Sequence, residues 1–116
     1  KLLINTLFAG QVALIAELLG MAQSMQLDKS VALAAMGATP VLSPAANGAA
    51  QAMLAQQFAP MFPVELVRKD MDDLLQSAAS PTTQLPMTQS LSKILQRAAE
   101  QGWAEQNLTV MAQLYC

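Results

Sequence analysis

Apolar positions run almost unbroken through the first two dozen residues. Leu3, Leu7, Leu14, Leu18 and Met25 fall on one helical face, and Ile4, Phe8, Val12, Ile15, Leu19 and Ala22 cover much of the rest. Leu, Ala, Met and Gln dominate and Pro is absent, so Leu2 to Met25 is predicted to be one long helix. A helix apolar on every side is either a membrane span or an element enclosed by other protein. Gln11 and Glu17 near its middle, and the lack of a Lys/Arg flank, argue against a span. What remains is a helix buried on most of its surface, by a central position or by a partner on its outer face, with Gln11 and Glu17 as enclosed polar groups needing partners.

The pattern then shortens. Gln26-Leu27-Asp28 is a break, and Asp28 is a cap for a second helix holding Lys29 to Met36, ended by Gly37. A link with Thr39, Pro40, Ser43 and Pro44 leads to a third helix over Ala45 to Gln57, with Ser43 as cap and Pro44 at its first turn. Pro60 and Pro63 mark the next link. Val64 to Ala79 forms the fourth helix, where Leu66, Val67, Met71, Leu74, Leu75 and Ala78 recur at three and four. Ser80 to Gln84 is a polar turn. A fifth helix starts at Pro86 and Thr88, carries Leu91, Ile94, Leu95 and Ala98 inward, and reaches Gln101 before Gly102 stops it. A last short helix spans Ala104 to Leu114. No segment alternates as a strand does, and no repeat is present, so the fold class is all-α.

The 116 residues are enough for one domain, and an apolar share of 53% against 12% charged excludes a disordered tail. A net charge of -2, with no basic cluster beyond Arg68-Lys69, gives no footprint for nucleic acid. The single cysteine, Cys116, excludes an internal disulfide framework, and the absence of histidine removes His-based metal sites and Ser/His or Cys/His nucleophile pairs. Asp70, Asp72 and Asp73 share a helix, but i and i+2 diverge and two carboxylates alone make a poor cage, so no metal is expected.

Two groupings could carry chemistry. Lys1 and Asn5 lie one turn apart on one face. A lysine with a tuned pKa is a general acid or base, and a neighbouring amide can hold a substrate oxygen. Lys69, beside Arg68 and followed by Asp70, makes a small positive patch able to draw a phosphate or carboxylate. Spacing alone favours the plainer readings: a solvated lysine with an ordinary amide, and a solvated helix face with Glu65 paired to Lys69 at i,i+4. Gly10 and Gly20 allow close helix approach, and Trp103 and Tyr115 are too isolated for a stacking surface.

The blocks KLLINTLFAGQVALIAELLGMAQSMQLD, GATPVLSP, FAPMFPVELVRKDMDDLLQSAA and LPMTQSLSKILQRAAEQGWAEQNLTVM resemble, in order and spacing, the C-terminal domain of the beta-hydroxyacid dehydrogenases. This family includes 3-hydroxyisobutyrate dehydrogenase, tartronate semialdehyde reductase and, more distantly, 6-phosphogluconate dehydrogenase. The most specific element is F-x-x-x-x-x-x-KD-x-x-x-L, from Phe62 to Leu74; the K-x-x-x-N opening is weak by itself but falls in the right place. Gln11 stands where the family often has Asn, Asn107 where it usually has Asp, and Gln26 where it usually has Gly.

The resemblance implies a helical bundle like the 6-phosphogluconate dehydrogenase C-terminal domain, with a long apolar first helix shared with a Rossmann domain. It implies that Lys1 is the catalytic proton donor and acceptor, that Asn5 orients substrate beside it, that Lys69 reaches the cofactor, and that Asp70 holds its helix in place. It implies NAD or NADP as cofactor of the full-length protein, none on this chain alone, a small hydroxyacid substrate, a homodimer, and a cytoplasmic enzyme with neither membrane nor nucleic acid as partner. No basic leader precedes the first apolar run, so no signal peptide is expected. Residues 1–116 are expected to be one helical domain whose Rossmann half lies upstream, inactive when isolated. Two alternatives stand beside it: a non-catalytic dimerisation or interaction module, and an imine reductase-like relative, against which the lysine at position 1 weighs.

Overall fold

The computed structural model describes residues 1–77 and 84–116. Five α-helices follow in order: α1 (Leu2–Ser24), α2 (Lys29–Gly37), α3 (Pro44–Leu54), α4 (Val64–Ser77) and α5 (Pro86–Ala98). A π-helical turn (Ala99–Trp103) and a 3-10 helix (Leu108–Leu114) close the chain. Among the described residues the only β-type pairing is an isolated bridge between Pro63 and Asn107. The expected helix end at Ala79 and most of the polar turn after it lie outside the described residues.

α1 is the central element and touches α2, α3, α4, α5 and the 3-10 helix. Ala9, Val12, Ala16 and Leu19 are fully enclosed along its inner side. They meet Leu33 of α2, Ala46 and Ala50 of α3, Val64 and Met71 of α4, and Leu95 of α5 in one core with Leu108, Val110 and Met111. Each fully buried Leu or Met contributes roughly 1.5–3 kcal/mol by leaving water. Ala9, Ala13 and Ala16 on α1, and Ala46 and Ala50 on α3, are small enough to let the backbones approach, while Leu19 of α1 is among the large side chains that fill the core.

The expected enclosure of α1 holds for only half of it. Its outer side carries Leu3, Leu7, Leu14, Leu18, Met21 and Met25, all exposed, Leu3 at 74%. Leu2–Ser24 has the length and composition of a membrane-crossing helix, its most apolar 18-residue stretch averaging a hydropathy of 1.8, yet a third of that stretch is buried against the bundle. Gln11 is half-buried and accepts a 2.7 Å hydrogen bond from the Ser43 hydroxyl, tying α1 to the start of α3. Glu17, expected inside, is exposed; its Oε1 accepts from the Tyr115 hydroxyl at 3.4 Å.

Caps set the starts. Asp28 accepts from the N–H groups of Ser30 (2.8 Å) and Val31 (3.1 Å), and Ser43 from Ala46 (3.1 Å), so side-chain oxygens satisfy first-turn donors that have no partner inside the helix. The ends differ from expectation. Gly37 is the last residue of α2 and not a left-handed stop; Ala38 ends it with φ -76°. α3 stops at Leu54, three residues early, where Gln56 turns left-handed at φ 53°. Gly102 does adopt φ 91°, and α5 reaches it through the π-turn.

Asn107 fixes the entry to α4. Its Oδ1 accepts from the Met61 (3.2 Å) and Phe62 (2.8 Å) N–H groups, and its Nδ2 donates to Thr109 Oγ1 at 3.0 Å. The Val64 and Glu65 N–H groups donate to the carbonyls of Gln106 (2.8 Å) and Ala104 (3.0 Å), satisfying two first-turn donors of α4. Phe62 thereby meets Phe8 of α1 with ring centroids 6.0 Å apart and planes at 60°, a favourable tilted geometry.

Candidate functional site

α4 turns by about 100° per residue, so adjacent positions face different surroundings. Val67 and Met71 point into the core and Leu74 is half-buried. Asp70, on the edge of this stripe, is half-buried against α1; Lys69, one step earlier, faces water. The Lys-Asp pair therefore divides its work, one charge inward and one outward.

Asp70 meets Asn5. Asn5 Nδ2 donates to Asp70 Oδ2 at 3.2 Å across 65 residues of sequence. A carboxylate has no proton to give, so the amide must turn its nitrogen toward Asp70 and its oxygen away. Lys1 sits one turn below Asn5, its carbonyl accepting the Asn5 N–H at 3.0 Å and its side chain exposed. The two groupings that stood apart in the sequence thus share one end of the bundle, with Asn5 and Asp70 as the joint. Their pairing had a signal: Asn5 interrupts an apolar helix, and Asp70 borders the inner stripe of an amphipathic one.

The expected Glu65–Lys69 pair does not form. Glu65 instead pairs with Arg68, whose Nη1 donates to Oε2 at 3.1 Å and to Oε1 at 3.4 Å, since i+3 lies as near as i+4. Lys69 is in no salt bridge among the described residues. Asp72 accepts from the Ser92 hydroxyl at 2.9 Å, a tie between α4 and α5. No three acidic or cysteine side chains among the described residues converge as a metal site would require.

An apolar groove of about 560 Å³ runs between α1 and α5, walled by Leu7, Leu14, Met87 and Ile94 over a floor of Gly10 and Ala13. It includes none of Lys1, Asn5, Lys69 or Asp70. At the other end of α1, burial pushes the Tyr115 hydroxyl above its ordinary value, with the Glu17 carboxylate adding to the rise and Arg97 opposing it.

The fold defines a class: the all-helical C-terminal domain found in dehydrogenases related to 3-hydroxyisobutyrate dehydrogenase. A 3-hydroxyisobutyrate dehydrogenase from Salmonella typhimurium superposes with a TM-score of 0.91 at 16% identity, over 99% of this chain and 40% of that one. The Mycobacterium tuberculosis 3-hydroxyisobutyrate dehydrogenase with L-serine superposes with a TM-score of 0.84 at 18% identity, over 98% of this chain and 41% of its own. No curated protein sequence matches. Residues 1–115 match the family described as NAD-binding of NADP-dependent 3-hydroxyisobutyrate dehydrogenase, and the chain belongs to that family. It spans about two-fifths of the length of the solved relatives.

Proposed function

We propose that this chain is the helical domain of an NAD(P)-dependent oxidoreductase that interconverts a small beta-hydroxyacid and its semialdehyde. The observation that carries the reading is the Asn5–Asp70 hydrogen bond, which draws the turn bearing Lys1 against the helix bearing Lys69. Lys1 acts as general base, its neutral amine taking the hydroxyl proton of the substrate as the carbon-bound hydrogen departs as hydride. In reduction its ammonium returns that proton to the carbonyl oxygen. Asn5 holds the same oxygen in place. NAD or NADP, when bound, supplies the hydride acceptor or donor. Lys69 fits a cofactor-facing role, because its ammonium is exposed and in no salt bridge among the described residues.

A Rossmann domain outside this chain completes the cleft, which accounts for Lys1 standing in water here. The matched mycobacterial enzyme with L-serine, itself a small beta-hydroxyacid, supports the substrate class. The exposed apolar side of α1 supports a second copy or the nucleotide-binding domain as its cover. A cytoplasmic location is part of this reading, supported by the family link alone.

The test is Lys1→Ala in the full-length protein, assayed with small beta-hydroxyacids and both nicotinamide cofactors. Loss of general acid–base catalysis should lower kcat by about 10²- to 10⁴-fold with cofactor affinity retained. Unchanged turnover would remove Lys1 from the mechanism. The exposed face of α1 equally suits a non-catalytic dimerisation module; a βαβ unit with G-x-G-x-x-G upstream of Lys1 separates the two.

A further inference from the structure

The geometry points to Asp70 as a positioning residue that fixes which way the Asn5 amide faces; this rests on the reading above that Asn5 binds substrate. An asparagine amide has two nearly isosteric orientations, one presenting N–H and the other C=O to a given neighbour. At Asn5 the choice is made by chemistry, because Asp70 Oδ2 lies 3.2 Å from Nδ2 and only accepts. One amide proton is thereby held by Asp70. The carbonyl oxygen and the second proton remain to meet the substrate, which sees an acceptor and a donor in fixed places.

The anchor is itself held. Asp70 lies on α4 between the buried Val67 and the half-buried Leu74, with buried Met71 following it. The start of α4 is pinned by the Asn107 bonds to Met61 and Phe62, and its far half is tied to α5 through Asp72 and Ser92. Asn5 lies on the first turns of α1, where Leu3 and Ile4 are exposed and little else restrains a side chain. The carboxylate therefore transfers the rigidity of packed α4 to an amide on the exposed first turn of α1. A reacting group needs such support, since a misplacement of about 1 Å can cost about 100-fold in rate.

The experiment is a double-mutant cycle in the full-length protein with Asn5→Ala, Asp70→Ala and their combination. Asp70→Ala should lower kcat/KM for the hydroxyacid by about 10- to 100-fold while leaving the KM for cofactor unchanged. The double variant should be no worse than Asn5→Ala alone, because Asp70 acts only through that amide. Asp70→Asn, similar in shape and able to present either oxygen or N–H, should lose less than Asp70→Ala and guards against a folding defect. In the cofactor-free protein, ¹⁵N NMR should show the Asp70-bonded proton of the Asn5 side-chain amide shifted and exchanging slowly with solvent, and Asp70→Ala should return its shift and exchange to those of an unbonded amide.

Losses that multiply in the cycle, or a loss confined to the cofactor KM, would overturn the inference, since Asp70 would then act on the bundle or on Lys69. So would Asn5→Ala being inactive while both Asp70 variants stay fully active with an unchanged amide spectrum; the substrate role of Asn5 would survive that result. Full activity of Asn5→Ala would instead remove the substrate reading and this inference with it.

Discussion

At the scale of single residues, Asn107 shows how a change of one atom type alters a local network. The family resemblance expects aspartate there, and a carboxylate would keep both bonds accepted from the Met61 and Phe62 N–H groups. It could not donate to Thr109, as the amide does at 3.0 Å. The Thr109 hydroxyl, which donates to the Gln57 carbonyl at 3.3 Å, would turn toward the new carboxylate and release that carbonyl. Asn107→Asp should therefore be mild, one hydrogen bond exchanged for another. Asn107→Ala strands two backbone donors behind the α4 entry, each costing about 1–3 kcal/mol, so urea unfolding should show a loss of about 3 kcal/mol. A loss within about 0.5 kcal/mol, as at an ordinary surface position, would mean the loop finds other acceptors. Asn107 was legible in the sequence only as a departure from a pattern; its partners lie 45 and 46 residues away, beyond what local spacing can reveal.

At the scale of elements, the sequence showed where helices begin better than where they end. Asp28 and Ser43 cap as expected because capping is local: a side-chain oxygen and an N–H two or three residues on suffice. Ends depend on what the next segment must reach. α3 gives way to a left-handed Gln56, after which Asn107 N–H meets the Phe58 carbonyl at 3.1 Å; no local cue in Ala55-Gln56-Gln57 demands that turn. The two glycines of α1 make the same point. Both suit close approach, but a Cβ at Gly20 would fall 2.6 Å from Tyr115 Cβ, while one at Gly10 meets nothing within 4 Å. Gly10→Ala should stabilise the chain by up to about 1 kcal/mol through helix propensity. Gly20→Ala should destabilise it by about 1–2 kcal/mol, the overpacking at Tyr115 exceeding the same gain. Thermal unfolding of the two variants side by side checks this; equal stabilisation by both would show that the terminal 3-10 helix shifts aside freely.

At the scale of the molecule, the open side of α1 demands a cover. Leu3 to Met25 spans roughly 33 Å at about 1.5 Å per residue, and the exposed stripe runs the whole way. A strip of that length in water is a site of association or aggregation. If Lys1 and Asn5 face a nucleotide-binding half, that half must cover the first turns, Leu3 and Leu7, leaving Leu14, Leu18, Met21 and Met25 to a second copy. The two ends then answer differently to added charge. Sedimentation velocity should show the isolated chain self-associating, with Leu3→Glu and Leu18→Glu each weakening the association because both ends are bare. In the full-length protein Leu18→Glu should still yield monomers. Leu3→Glu should leave the dimer intact and instead impair turnover, since its carboxylate would be buried between domains without a partner. A full-length dimer indifferent to Leu18→Glu would place the contact between copies elsewhere, and a monomeric isolated chain at high concentration would leave the nucleotide-binding half as the cover for the entire stripe.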